Sequence, residues 1–255
     1  MPDDKETSMA VAEPRGLDPD RALSRYFRDR DWLFKTALGG VFYASSMLLF
    51  LFPLAIPLSL SLWALNTGYM LRVMRVKMRD PSARLPDWND IPDLFISGMS
   101  WIAIATGFLL LTCTQIMTAL IIGVAISSIP AVGPYFIYYV LATIIGISTI
   151  TLLQHFFTCV LMANFAEKET MTAGFEFSTV LSRIKDEPGD FLCAWLIGLG
   201  LAIVALIVPV LTLVGVFFIP STVFCAQLLG AVLMAQAWAK GRKIEEREIS
   251  EPPQS

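Results

Sequence analysis

Charge is what this sequence has least of. Asp, Glu, Lys and Arg make up 16% of its 255 residues, against about 25% in a soluble domain. With 55% hydrophobic residues and a mean hydropathy of +0.63, most of the chain is too apolar for disorder. A basic excess is also missing. A net charge of −3 and a pI of ≈ 5.2 exclude a nucleic-acid binder that works through a basic surface. Histidine occurs once, at His155, and cysteine four times, at Cys113, Cys159, Cys193 and Cys225. None of the cysteines forms a C-x-x-C, and all lie in apolar stretches, so they read as small packing residues and not as a metal or redox site. The motifs G-x-x-x-x-G-K, H-E-x-x-H and G-x-S-x-G are absent. No cofactor is expected. No apolar run precedes Trp32, so no secretory signal is expected either.

What is present is a set of long charge-free runs. Thr36–Leu71, Leu94–Ala166 and Phe191–Ala239 contain no Asp, Glu, Lys or Arg over 36, 73 and 49 residues. One crossing needs about 20 residues for a hydrocarbon core of roughly 30 Å. Each run is too long for one crossing and is interrupted near its middle. The interruptions are Pro53 with Pro57, Ser127-Ser128-Ile129-Pro130 through Pro134, and Pro220-Ser221. The chain is therefore expected to be all-α, a polytopic bundle of six spans in three hairpins. The spans are placed at about 34–53, 56–76, 97–126, 134–163, 191–215 and 222–240. Four spans in the middle run would also keep the orientation, but would leave no room for turns. Residues 1–20 and 247–255 are expected to be disordered tails around one membrane domain, 21–246.

All 19 basic residues fall outside the hairpin turns. They group in the N-terminal segment, after the first hairpin, after the second, and in the tail. The positive-inside bias then puts both termini in the cytoplasm, and the membrane is expected to be a prokaryotic cytoplasmic one. Each hairpin begins with an aspartate and bulky apolar residues, at Asp31-Trp32-Leu33, Asp93-Leu94-Phe95 and Asp190-Phe191-Leu192. Helix capping at the interface explains this, and so would an old duplication. Between the second and third hairpins, Phe177, Val180, Leu181 and Ile184 recur at helical spacing. This predicts an amphipathic helix within Thr170–Lys185, on the membrane surface or beneath the bundle.

Ionisable residues within spans usually mark ion paths, and here only His155 lies in one. It is expected to be neutral and hydrogen-bonded to a neighbouring helix; the sharper alternative is an axial ligand to a haem or chlorophyll. The segment after the first hairpin is richer. Arg72, Arg75 and Arg79 share a helix face at a helix end, where they can snorkel or hold anionic lipid headgroups. Next comes Leu85-Pro86-Asp87-Trp88-Asn89-Asp90-Ile91-Pro92-Asp93. Pro86, Asp87, Trp88 and Asp90, with the three arginines, form the candidate binding site for lipid or a partner protein. Trp88 is either a docking anchor or an interfacial residue at headgroup level.

Gly68-Tyr69, the basic helix end, Leu85-Pro86-Asp87-Trp88 with Asp90, Leu94-Phe95 and Gly98 resemble the uncharacterised membrane family called domain of unknown function 4013. The later Ala173-Gly174-Phe175-Glu176-Phe177 is similar to that family's second cytoplasmic segment. The resemblance covers roughly residues 24–240 and departs at Asn89 and Ile91-Pro92, where the family has acidic and aromatic residues. It implies a bacterial or archaeal membrane bundle and brings no activity with it. The sequence alone thus favours a non-enzymatic scaffold or accessory protein whose cytoplasmic face binds a partner or lipid. The alternative is a transporter or channel for a neutral or lipid-like solute. An enzyme using Asp87, Asp90 and Asp93 lacks a recognisable nucleophile–base pair.

Overall fold

The computed structural model describes residues 17–129, 135–212 and 215–250, with side chains described as far as 241. Eight α-helices follow one another: α1 (Pro19–Phe27), α2 (Trp32–Phe50), α3 (Ile56–Arg79), α4 (Ile91–Ser127), α5 (Phe136–Lys168), α6 (Phe177–Asp186), α7 (Pro188–Val210) and α8 (Ile219–Ser250). No strand occurs among the described residues. Six of the helices, α2–α5, α7 and α8, are long and apolar enough to cross a membrane. The chain is thus an all-α polytopic bundle of three hairpins.

Helix ends differ from the expected ones, and proline is the reason. The missing N–H of proline costs nothing in a first turn, and its fixed φ suits that position. Pro92 therefore lies inside the first turn of α4, which begins at Ile91 and not near 97. Pro188 starts α7 three residues before the expected 191. Pro220, expected in a turn, lies in the first turn of α8. Just before it lies the 3-10 turn Gly215–Phe218. The middle reversal, expected at 127–134, lies outside the described residues from 130 onwards. The expected N-terminal tail is likewise outside them up to residue 16. From Leu17 the chain is placed, and the Leu17 N–H donates to Asp190 Oδ1 at 3.4 Å. At the other terminus α8 continues to Ser250, past the expected tail boundary; Glu245, Glu246 and Arg247 are good helix formers.

The aspartates at the hairpin starts do not cap by side chain. Asp31 and Asp90 hold N-cap positions without a side-chain cap bond. Asp93 and Asp190 lie within the first turns of α4 and α7, where negative charge still suits the helix dipole.

Among the described residues the charged segments lie at one end of the bundle, and the core sits towards that end. Buried side chains concentrate on α3 from Ala64 to Met78, on α5 from Val160 to Ala166, and on α8 from Phe224 to Ala239. Backbones approach closely there. A Cβ on Gly68 would overlap the Leu94 carbonyl, and one on Gly98 would overlap that of Ala64, so α3 and α4 cross backbone to backbone. Without a hydrophobic drive between helices in lipid, such small-residue contacts supply the packing. Gly39 on α2 similarly seats the Phe224 ring of α8. The far parts of α4 and α5 are different. Leu109, Ile121, Val124, Ile137 and Ile145 are each more than half exposed, which is the lipid-facing pattern of a hairpin leaning out of the bundle.

Candidate functional site

Seven residues singled out from the sequence gather at the charged end, and six of them are engaged within the molecule. The Arg72 guanidinium donates to the Asn89 carbonyl and Oδ1 at 2.6 and 2.8 Å and to Asp93 at 3.0 Å. It also lies 3.6 Å from Asp90. Arg75 donates to Ser97 Oγ at 2.9 Å and pairs with Glu169 at 3.1 Å. The Pro86 carbonyl accepts from the Tyr69 hydroxyl at 2.9 Å. Asp87 pairs with Lys35 at 3.0 Å while staying open to solvent. Trp88 is turned inward. Its ring stacks on Tyr69 at 4.0 Å with planes 2° apart, and its N–H donates to the Lys35 carbonyl at 3.1 Å. These contacts leave the indole partly buried and already occupied. Arg79 is exposed and has no ion pair among the described residues.

Sequence reasoning missed the residues that pin this segment. Asp29 is 5% exposed and accepts from the backbone N–H groups of Asp31 at 2.9 Å and Leu85 at 2.8 Å. Burial pushes its carboxyl up, but these two N–H groups and the Lys35 ammonium outweigh that and hold it below the usual carboxylate range. Lys35 donates to the Leu85 carbonyl at 2.7 Å, and Lys77 to that of Ala83 at 2.5 Å. The only two non-glycine residues with left-handed backbone among the described ones are Asp90 and Glu169, both at φ 56°. Both carry carboxylates of the Arg72–Arg75 cluster, which ties the ends of α3, α4 and α5 together.

The second feature is an open cavity of about 710 Å³ lined by residues of all six spans. Its wall is mostly apolar, from Met70, Met74 and Met162 to Leu199 and Phe224. The polar groups on it carry no formal charge; they include Asn66, Thr67, Thr106, His155, Thr158 and Gln227. Phe50 and Leu109 line it while 58% and 60% exposed, so its rim opens on the lipid-facing side. Asn66 is 3% exposed. Its amide donates to the Gly39 carbonyl at 3.1 Å, and its Oδ1 has no donor among the described groups. His155 sits on this wall and accepts at Nδ1 from Trp195 of α7 at 2.9 Å, the neighbouring-helix bond expected of a neutral histidine. Among the described residues no group of three His, Cys, Asp or Glu is placed to hold a metal, and all four cysteines are free. The size and lining are those of a small-molecule site, which usually spans about 300–1,000 Å³ and is apolar with a few directed polar groups.

Neither curated proteins nor solved structures yield a match to this chain. A family described as "Protein of unknown function (DUF4013)" matches residues 47–214. That interval runs from within the first hairpin to the end of the fifth span. It includes Gly68-Tyr69, Leu85-Pro86-Asp87-Trp88 and Gly98, which form the α3–α4 crossing and the segment folded against it. On that match the chain belongs to the DUF4013 family.

Proposed function

We propose that this integral membrane protein is a non-enzymatic carrier that takes a neutral, lipid-like molecule into the cavity between its six spans. The observation that carries this reading is the cavity itself: about 710 Å³, apolar, and with no charged residue on its wall. An ionised headgroup placed there would lose its hydration with nothing to replace it, which is prohibitive in a medium of low dielectric. A neutral molecule with a long apolar part meets no such barrier. The reading places the protein in a prokaryotic cytoplasmic membrane, with both termini and the amphipathic α6 on the cytoplasmic side, from the distribution of basic residues.

The test is to purify the full chain in mild detergent and identify extractable small molecules by mass spectrometry. Wild type is expected to retain a neutral lipid in stoichiometric amount. The double variant Ala105→Phe, Ala202→Phe, which fills the cavity from α4 and α7, is expected to retain none while staying monodisperse. A wild type carrying only non-stoichiometric bulk lipid would overturn the reading.

A second reading, an accessory protein whose cytoplasmic face binds anionic lipid or a partner protein, has its own observation. Arg28, Arg30 and Arg79 are exposed and have no ion pair among the described residues. Each can contribute about 1 kcal/mol towards an anionic membrane surface. Trp88, by contrast, is used in internal packing.

A further inference from the structure

Asn66 and Thr67 are consecutive residues of α3, and both line the cavity. Each is more than nine-tenths buried, at 3% and 6% exposed. The Gly39 carbonyl can only accept, so it fixes the Asn66 amide with its nitrogen towards α2. The amide oxygen is the edge left over, and no donor meets it among the described groups. The Thr67 hydroxyl has no hydrogen-bond partner either among the described residues. Two other threonines of the same wall behave differently. Thr106 and Thr158 donate to the carbonyls one turn before them, Ile102 at 2.8 Å and Gln154 at 2.7 Å. Hydrocarbon offers neither a donor nor an acceptor, so an unmet polar group there is costly. An ester or ketone would leave Asn66 Oδ1 unmet, because it has no proton to give. A hydroxyl gives a proton and takes one through a single oxygen. Consecutive Cα atoms are about 3.8 Å apart, which brings both side chains within range of one small group. No cation on the wall favours an ionised headgroup.

We propose that the occupant of the cavity is a long-chain alcohol, a free hydroxyl on an apolar body, and that this hydroxyl donates to Asn66 Oδ1 and accepts from Thr67 Oγ1. This rests on the cavity-binding reading above and names the headgroup that the cavity selects. Asn66 and Thr67 act here as specificity residues, the Asn66 amide being oriented by the Gly39 carbonyl.

The experiment uses the purified full chain in detergent with three probes on one carbon skeleton: oleyl alcohol, its methyl ether, and the plain alkene. The alcohol donates and accepts, the ether only accepts, and the alkene does neither. Native mass spectrometry gives their relative retention in competition. Wild type is expected to retain the alcohol about five-fold better than the ether, and the ether about five-fold better than the alkene. Each step is the worth of one ordinary hydrogen bond. Thr67→Val keeps the side-chain shape and breaks no internal hydrogen bond. It should fold as the wild type does while erasing the ether-over-alkene step. Asn66→Leu should erase the alcohol-over-ether step. Should Asn66→Leu not fold, for want of its bond to Gly39, the wild-type order and Thr67→Val decide alone. If none of the probes binds, the cavity reading fails and this inference with it. If the three bind equally, the cavity reading stands and the inference is overturned, the two polar groups being met by water. Unchanged ratios in Thr67→Val would overturn the assignment of its hydroxyl to the occupant.

Discussion

Asp29 shows how much a single buried carboxylate does at the charged end. Two backbone N–H groups and Lys35 hold its pKa below the ordinary value, so the folded state binds its proton less readily than the unfolded chain does. The stability this adds is complete above the unfolded pKa of about 4. It is lost as pH falls through the lower folded value. We expect the thermal midpoint of the wild type in detergent to drop on acidification below about pH 4. Asp29→Asn should lower the midpoint at neutral pH and flatten the acid limb. Superimposable acid limbs for the two proteins would refute this role. Nothing in the sequence pointed to Asp29, because its partner is the Leu85 amide, 56 residues on. Backbone partners have no sequence signature. The same holds for Trp88: its composition fits an exposed anchor, and only the Tyr69 ring, brought over it by the α3–α4 crossing, makes it an internal one.

At the scale of elements, the spans were legible because lipid leaves little choice. Charge-free runs of this length must be helical and must cross in pairs. Their starts are less legible: Pro220 reads as a turn but lies in the first turn of α8, and α4 and α7 begin ahead of the expected 97 and 191, with Pro92 and Pro188 in their first turns. How the helices are tied at the charged end was not legible at all. Glu167 of α5 pairs with Arg183 of α6 at 3.1 Å and accepts from the Trp238 indole of α8 at 2.9 Å. The Arg183 guanidinium lies 4.1 Å from the centre of that indole. Both charges are largely shielded, with side chains 19% and 10% exposed, so removing one breaks a desolvated pair. Glu167→Ala is expected to destabilise by about 3 kcal/mol. Glu169→Ala, whose carboxylate is 50% exposed, is expected to cost less than about 1 kcal/mol. Unfolding titrations of the two variants provide the comparison. Equal midpoints would show that the α5–α6–α8 tie contributes nothing special.

For the whole molecule, the lengths of the hairpins are unequal. The 37 residues of α4 extend about 55 Å at 1.5 Å per residue, against about 28 Å for the 19 residues of α2. Most exposed side chains of outer α4 are apolar, among them Leu120, Ile121 and Val124, so α4 and α5 cannot stand upright in water beyond the bilayer. Tilt absorbs part of such a mismatch. The orientation is testable on a background lacking the four native cysteines. Cysteine at Leu54, Ser128 or Phe217 should react with an impermeant thiol reagent in intact cells, and cysteine at Ser82 should not. Reaction at Ser82 would reverse the assigned sidedness.

The rim formed by Phe50 and Leu109 has a further bearing on how the cavity would fill. An opening on the lipid-facing side is approached by diffusion in two dimensions, from a phase in which a lipid-like solute is already concentrated. Occupancy then follows the mole fraction of that solute in the membrane and is nearly indifferent to its concentration in water. Binding curves measured against aqueous concentration would shift with the amount of lipid added, and would coincide once expressed per mole of lipid.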